Sequence, residues 1–69
     1  MKLPRDLSGQ RVVQALKRLG FIEERQEGSH IRLIRGPLRV TVPAHRVLAT
    51  LQSILRQAQI RVQDLRAVL

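Results

Sequence analysis

The residues with chemistry to offer are two histidines. His30 follows Glu27-Gly28-Ser29, and His45 closes the run Thr41-Val42-Pro43-Ala44-His45. Imidazole is the side chain that takes up or gives off a proton near neutral pH. Ahead of His30, Gly28 permits a tight turn or a close backbone approach to an anion, and Ser29 brings a hydroxyl donor. The chain has no cysteine and no tyrosine, which removes thiolate nucleophiles, disulfides and thiolate metal sites. Two histidines without a grouped carboxylate make a poor metal centre, so the sequence predicts neither metal nor cofactor.

The charge says what such a histidine would act on. Lys and Arg number 13 against 5 Asp and Glu, a formal +8, and all the cations but Lys2 and Lys17 are arginines. Guanidinium groups favour planar, bidentate contacts to phosphate, so a polyanion is the expected partner. An anionic membrane surface or an acidic protein could use the same field. RNA fits the chemistry best, because it carries its own nucleophile in the 2′-OH. Cleavage then needs a group that moves a proton, a positive charge that stabilises the phosphorane oxygens, and in-line geometry. Asp6, Glu23, Glu24 and Glu27 precede Gly28 and only Asp64 follows it, which is read as gathering positive potential beside His30. With Phe21 as the one aromatic, base stacking is scarce and strong sequence specificity is not expected.

These groups must be positioned by one domain spanning residues 1–69, since a chain of this size supports only one thin core. Residues 3–6 read as an irregular opening. Ser8 is an N-cap candidate for a helix that carries Val12, Val13, Leu16 and Leu19 on one stripe and ends at Gly20. A first strand is expected at residues 21–26, its far end an edge or a fraying turn. Two more are expected at residues 30–35 and 38–42, separated by Gly36-Pro37. Pairing across a two-residue loop sets Arg35 opposite Leu38, Leu33 opposite Val40 and Ile31 opposite Val42 on an apolar face. Arg32 then faces Thr41 and Ile34 faces Arg39 on the other side, with His30 in the same parity as Arg32. Pro43 stops the third strand, and a connector at residues 44–49 adds His45 and Arg46 near the sheet end. Thr50 is read as the N-cap of a helix burying Ile54, Leu55 and Ala58. Val62, Leu65, Val68 and Leu69 have the spacing of a short last helix. The fold class is therefore α+β: a two-layer sandwich of a three-stranded antiparallel sheet with helices on one face and an open basic face opposite. No apolar run is long enough to span a bilayer, and residues 1–6 run into a polar amphipathic stretch unlike a signal peptide. The expected location is the cytoplasm.

Gly28-Ser29-His30, then Thr41-Val42-Pro43-Ala44-His45, then Leu51-Gln52-Ser53-Ile54-Leu55-Arg56-Gln57-Ala58, after a helix ending Leu19-Gly20-Phe21, resemble in kind, order and spacing the HicA, or YcfA-like, toxin family. The resemblance covers nearly the whole chain. It implies a fold like that of double-stranded RNA-binding domains and a metal-independent endoribonuclease that cuts mRNA and slows translation. It also implies the toxin half of a type II toxin–antitoxin pair, neutralised by a HicB antitoxin lying over the active site. The family's catalytic histidine falls on His30. The chain departs from the family in having Ile31 where many relatives place a second histidine, Ala49 before Thr50, and Gln59 where glycine is common.

Expected RNA contacts are Gly28, Ser29, Arg32, Arg39 and Thr41, with His45 either ordering the connector or touching RNA. Two other function classes accommodate the same residues. One is a non-catalytic RNA-binding module; the other is a basic adaptor for an acidic partner. An effect that needs His30 and that binding does not explain separates the enzyme from the first, and a neighbouring reading frame for a HicB-like antitoxin would favour the toxin over either.

Overall fold

Ser8 has extended backbone angles, and its side-chain oxygen accepts the Arg11 amide at 3.3 Å, so the first helix, α1 (Gly9–Arg18), begins with a side-chain cap. The computed structural model describes residues 7–45 and 47–69; the opening at residues 3–6, with Asp6, and Arg46 lie outside the described residues. Val12, Val13, Ala15 and Leu16 of α1 are buried and Leu19 is half-buried, as the stripe predicts. The helix ends where Phe21 N–H bonds the Leu16 carbonyl and Gly20 N–H that of Lys17, a Schellman closure in which buried Phe21 packs after the last turn.

Three antiparallel strands follow in the order β1-β2-β3: β1 (Ile22–Glu27), β2 (His30–Arg35) and β3 (Leu38–Pro43). The β2–β3 register is the one that parity predicts, pair for pair from Arg35↔Leu38 to Ile31↔Val42. Three boundaries differ. Pairing begins at Ile22 and continues to Glu27, because the two-residue Gly28-Ser29 turn sets Glu27 opposite His30. Pro43 belongs to β3 as the partner of His30, a position that costs no ladder bond because β3 is an edge strand. The outward amide of Thr41 on that edge is taken by Gln57 Oε1 at 3.0 Å.

Ile31, Leu33, Val40 and Val42 are buried together with the apolar stripes of α1 and of α2 (Leu51–Ala58), forming the core between sheet and helices. The C-terminal stretch of the sequence resolves into α2 and a separate α3 (Val62–Ala67). Leu65 enters the core, whereas Val62 stays 40% exposed. Thr50 stands at the N-cap position but does not cap. A 3-10 turn over Leu48–Thr50 gives it φ −114° and ψ 6°, outside the extended region from which a cap side chain reaches the first turn, and its hydroxyl donates to the Val47 carbonyl instead.

Gln59 closes α2 in the same bond pattern as Gly20 closes α1: Ile60 N–H to Leu55 and Gln59 N–H to Arg56. It does so at φ 56° and ψ 43°, a left-handed conformation that costs a non-glycine residue about 1 kcal/mol or more. Gln59→Gly is therefore expected to stabilise the fold by up to about 1 kcal/mol, raising Tm by about 4–8 °C in a thermal melt.

Candidate functional site on the open sheet face

The register lays the open face out as three rows of three, one residue from each strand. Glu27, His30 and Pro43 form the row at one end, Arg25, Arg32 and Thr41 the middle, and Ile22, Ile34 and Arg39 the far row. His30, Arg25, Arg32 and Arg39 are exposed; Thr41 and Ile34 are half-buried. Along β2, His30 lies about 7 Å from the middle row and about 13 Å from the far one. Arg32 is thus near enough to share a phosphate with His30, while Arg39 can meet only a more distant one.

A tight turn and two backbone hydrogen bonds hold the histidine end together. Gly28, at φ +58°, makes the tight turn that returns the chain from Glu27 to His30. The Ser29 carbonyl, beside it, accepts Ala44 N–H at 2.6 Å, and the His45 carbonyl accepts Gly9 N–H at 2.7 Å. The Gly-Ser-His and Pro-Ala-His segments are therefore brought to one corner of the sheet, against the start of α1. His45 itself is exposed, on the connector beyond the three rows.

The acids and bases of the face are linked. Glu27 Oε1 lies 2.8 Å from Arg25 Nη2 and 3.8 Å from Arg32 Nε. Both pairs are solvent-exposed, and such pairs contribute under about 1 kcal/mol, so a phosphate offering better geometry can take the guanidiniums from the carboxylate. Among the described residues no three His, Asp or Glu side chains gather where they could hold a metal ion.

Two residues of this site, Arg25 and Glu27, escape a reading by residue type. Strict alternation from Ile22 would send Glu24 and Gln26 to the open face. A register shift between Glu23 and Arg25 leaves Glu24 unpaired and moves Arg25 and Glu27 there instead. A signal was available: counting back from a two-residue Gly28-Ser29 turn sets Glu27 beside His30 and would put Phe21 in solvent, and one inserted residue resolves that conflict.

The positive charge is also distributed otherwise than sequence order implies. Of the described arginines after His30, only Arg32 and Arg39 share its face. Arg35 sits on the covered side, with its guanidinium 4.8 Å from the centre of the Phe21 ring and Nη1 donating to the Leu19 carbonyl at 2.8 Å, a packing role. Arg56, Arg61 and Arg66 belong to the helical layer. Asp64 is occupied there, accepting Arg61 N–H at 2.9 Å at the start of α3.

Among the described residues, no helix is long and apolar enough to cross a membrane. The sequence model of the family described as HicA toxin of bacterial toxin-antitoxin matches residues 9–60, from the first residue of α1 to just beyond α2. No curated protein matches the chain.

Proposed function

The chain belongs to the HicA toxin family of bacterial toxin–antitoxin systems, and we propose that it acts there as a metal-independent endoribonuclease on mRNA, with His30 moving protons in the cleavage step. The observation that carries this reading is an exposed histidine one row from two arginines, on a face that no helix of the described residues covers. The 2′-OH of RNA attacks its own phosphodiester; Arg25 and Arg32 meet the charge that develops on the phosphorane oxygens, and the product ends are a 2′,3′-cyclic phosphate and a 5′-hydroxyl. Gly28 and Ser29 border the bound strand, Thr41 offers a hydroxyl in the middle row, and Arg39 holds a neighbouring phosphate. His45 touches the RNA from the connector. The enzyme works in the cytoplasm and slows translation until a HicB-like antitoxin covers the open face. Complementary acidic groups on that antitoxin would speed the encounter.

The test is incubation of RNA with the purified chain in EDTA, with the product ends identified. Cleavage to cyclic-phosphate ends is expected, whereas RNA bound and left whole would reduce the protein to a binding module. The phosphate contacts have their own readout. Arg32→Ala and Arg39→Ala should each lower the slope of log affinity against log salt by about 0.7 to 0.9. The rate at saturating RNA should fall only for Arg32→Ala, the nearer of the two. Unchanged slopes in both would make the basic rows a solvated surface.

A further inference from the structure

Transesterification at the 2′-OH moves two protons, one off the attacking hydroxyl and one onto the departing 5′-oxygen. A single imidazole performs one of these at a time. Among the described residues the three rows hold one carboxylate, Glu27, and the register sets it directly across from His30. Cross-strand neighbours on one face keep their Cβ atoms about 4.5–5.5 Å apart, so both side chains reach the same nucleotide.

We propose that Glu27 is the general base of the reaction and His30 its general acid, an assignment that rests on the ribonuclease reading above. A carboxylate ion-paired with arginine has no proton to give and can only accept one, which fixes the direction. Glu27 takes the 2′-OH proton as the 2′-oxygen bonds to phosphorus. The P–O5′ bond breaks, and the 5′-oxygen takes the proton of the His30 imidazolium. Protonated Glu27 and neutral His30 then return to their starting states by exchange with water.

The two ion pairs give this base a substrate gate. In the free protein Arg25 and Arg32 hold the Glu27 carboxylate. A phosphodiester accepts the same guanidinium donors, so binding of RNA draws both arginines onto the phosphate and releases the carboxylate beside the sugar. The base is thus freed in the complex that needs it. The bulge at Glu24 lets this pairing coexist with the core, because the Gly28 turn sets Glu27 and Arg25 on the histidine's face and the inserted residue keeps Phe21 buried behind them.

The experiment compares intact protein, Glu27→Gln and His30→Ala on two RNAs, one ordinary and one with sulfur replacing the bridging 5′-oxygen at a single linkage. Thiolate leaves without protonation, so loss of an acid is rescued by sulfur and loss of a base is not. Glu27→Gln should lose at least about a hundredfold in kcat/KM on both RNAs. His30→Ala should lose as much on ordinary RNA and regain at least about a hundredfold on the sulfur substrate. On that substrate the fall in rate toward acid pH should vanish in Glu27→Gln, a change that mere misplacement of Arg25 and Arg32 would not produce. Wild-type rates for Glu27→Gln beside an inactive His30→Ala would overturn the assignment and leave His30 catalytic. Rescue of Glu27→Gln by sulfur, or an unaltered acid limb, would overturn it as well. If the intact protein cuts neither RNA, the ribonuclease reading falls and this assignment with it.

Discussion

Replacing His30 by alanine is expected to slow cleavage of ordinary RNA at least about a hundredfold, the scale of one general acid–base group, while leaving the fold as it is. The second half of that expectation follows from the surroundings. His30 is exposed at the start of β2, and its cross-strand neighbours Glu27 and Pro43 meet it at the open end of the sheet. Its main-chain pairing survives substitution, and surface changes of this kind shift stability by less than about 0.5 kcal/mol. Initial rates in EDTA should therefore collapse at an unchanged Tm. Induced in a host cell, the intact chain should arrest growth and the variant should not. A folded His30→Ala protein that still cut RNA at the wild-type rate would remove His30 from the mechanism.

Much of the arrangement around His30 was legible in the residues themselves. Parity across Gly36-Pro37 is decisive because, Ile34 apart, β2 and β3 alternate apolar and polar residues, so a slip of one would bury Arg32 and Arg39; the observed pairs agree throughout. β1 offered no such check. Its residues after Ile22 are all polar and the strand is exposed along its length, so nothing in its pattern marks which side faces the helices. The bulge that carries Arg25 and Glu27 to the histidine is set instead by two constraints at its ends, burial of Phe21 and the tight turn at Gly28. Thr50 failed as a cap for a related reason: the 3-10 turn before it is fixed by the approach of the connector to the core, where Val47 is buried, and residue type alone does not encode that approach.

Gly9 belongs to no motif of the sequence, and its replacement is expected to do the greatest structural damage. It opens α1 in contact with the corner that holds both histidine segments. A Cβ at Gly9 would stand 1.8 Å from the Pro43 carbonyl oxygen and 2.8 Å from Ala44 Cα. The neighbouring atoms are backbone, and they cannot swing aside as a flexible side chain would. Pro43 is paired with His30 and Ala44 N–H is bound to Ser29, so yielding there means moving the site. Gly9→Ala should therefore destabilise the protein by about 3 kcal/mol, the upper range for overpacking, with Tm lowered by roughly 12–24 °C. Gly28→Ala is the instructive comparison, because an added Cβ there meets nothing within 4 Å and only the positive φ is unfavourable. It should cost about 1 kcal/mol. At temperatures where Gly9→Ala is still folded, cleavage should fall as well, since α1 and the Pro43–Ala44 backbone can separate only by shifting the strand end opposite His30. A Gly9→Ala protein melting within about 3 °C of wild type, less than the shift that 1 kcal/mol produces, would mean that α1 does not press on this corner and does not set the position of His30.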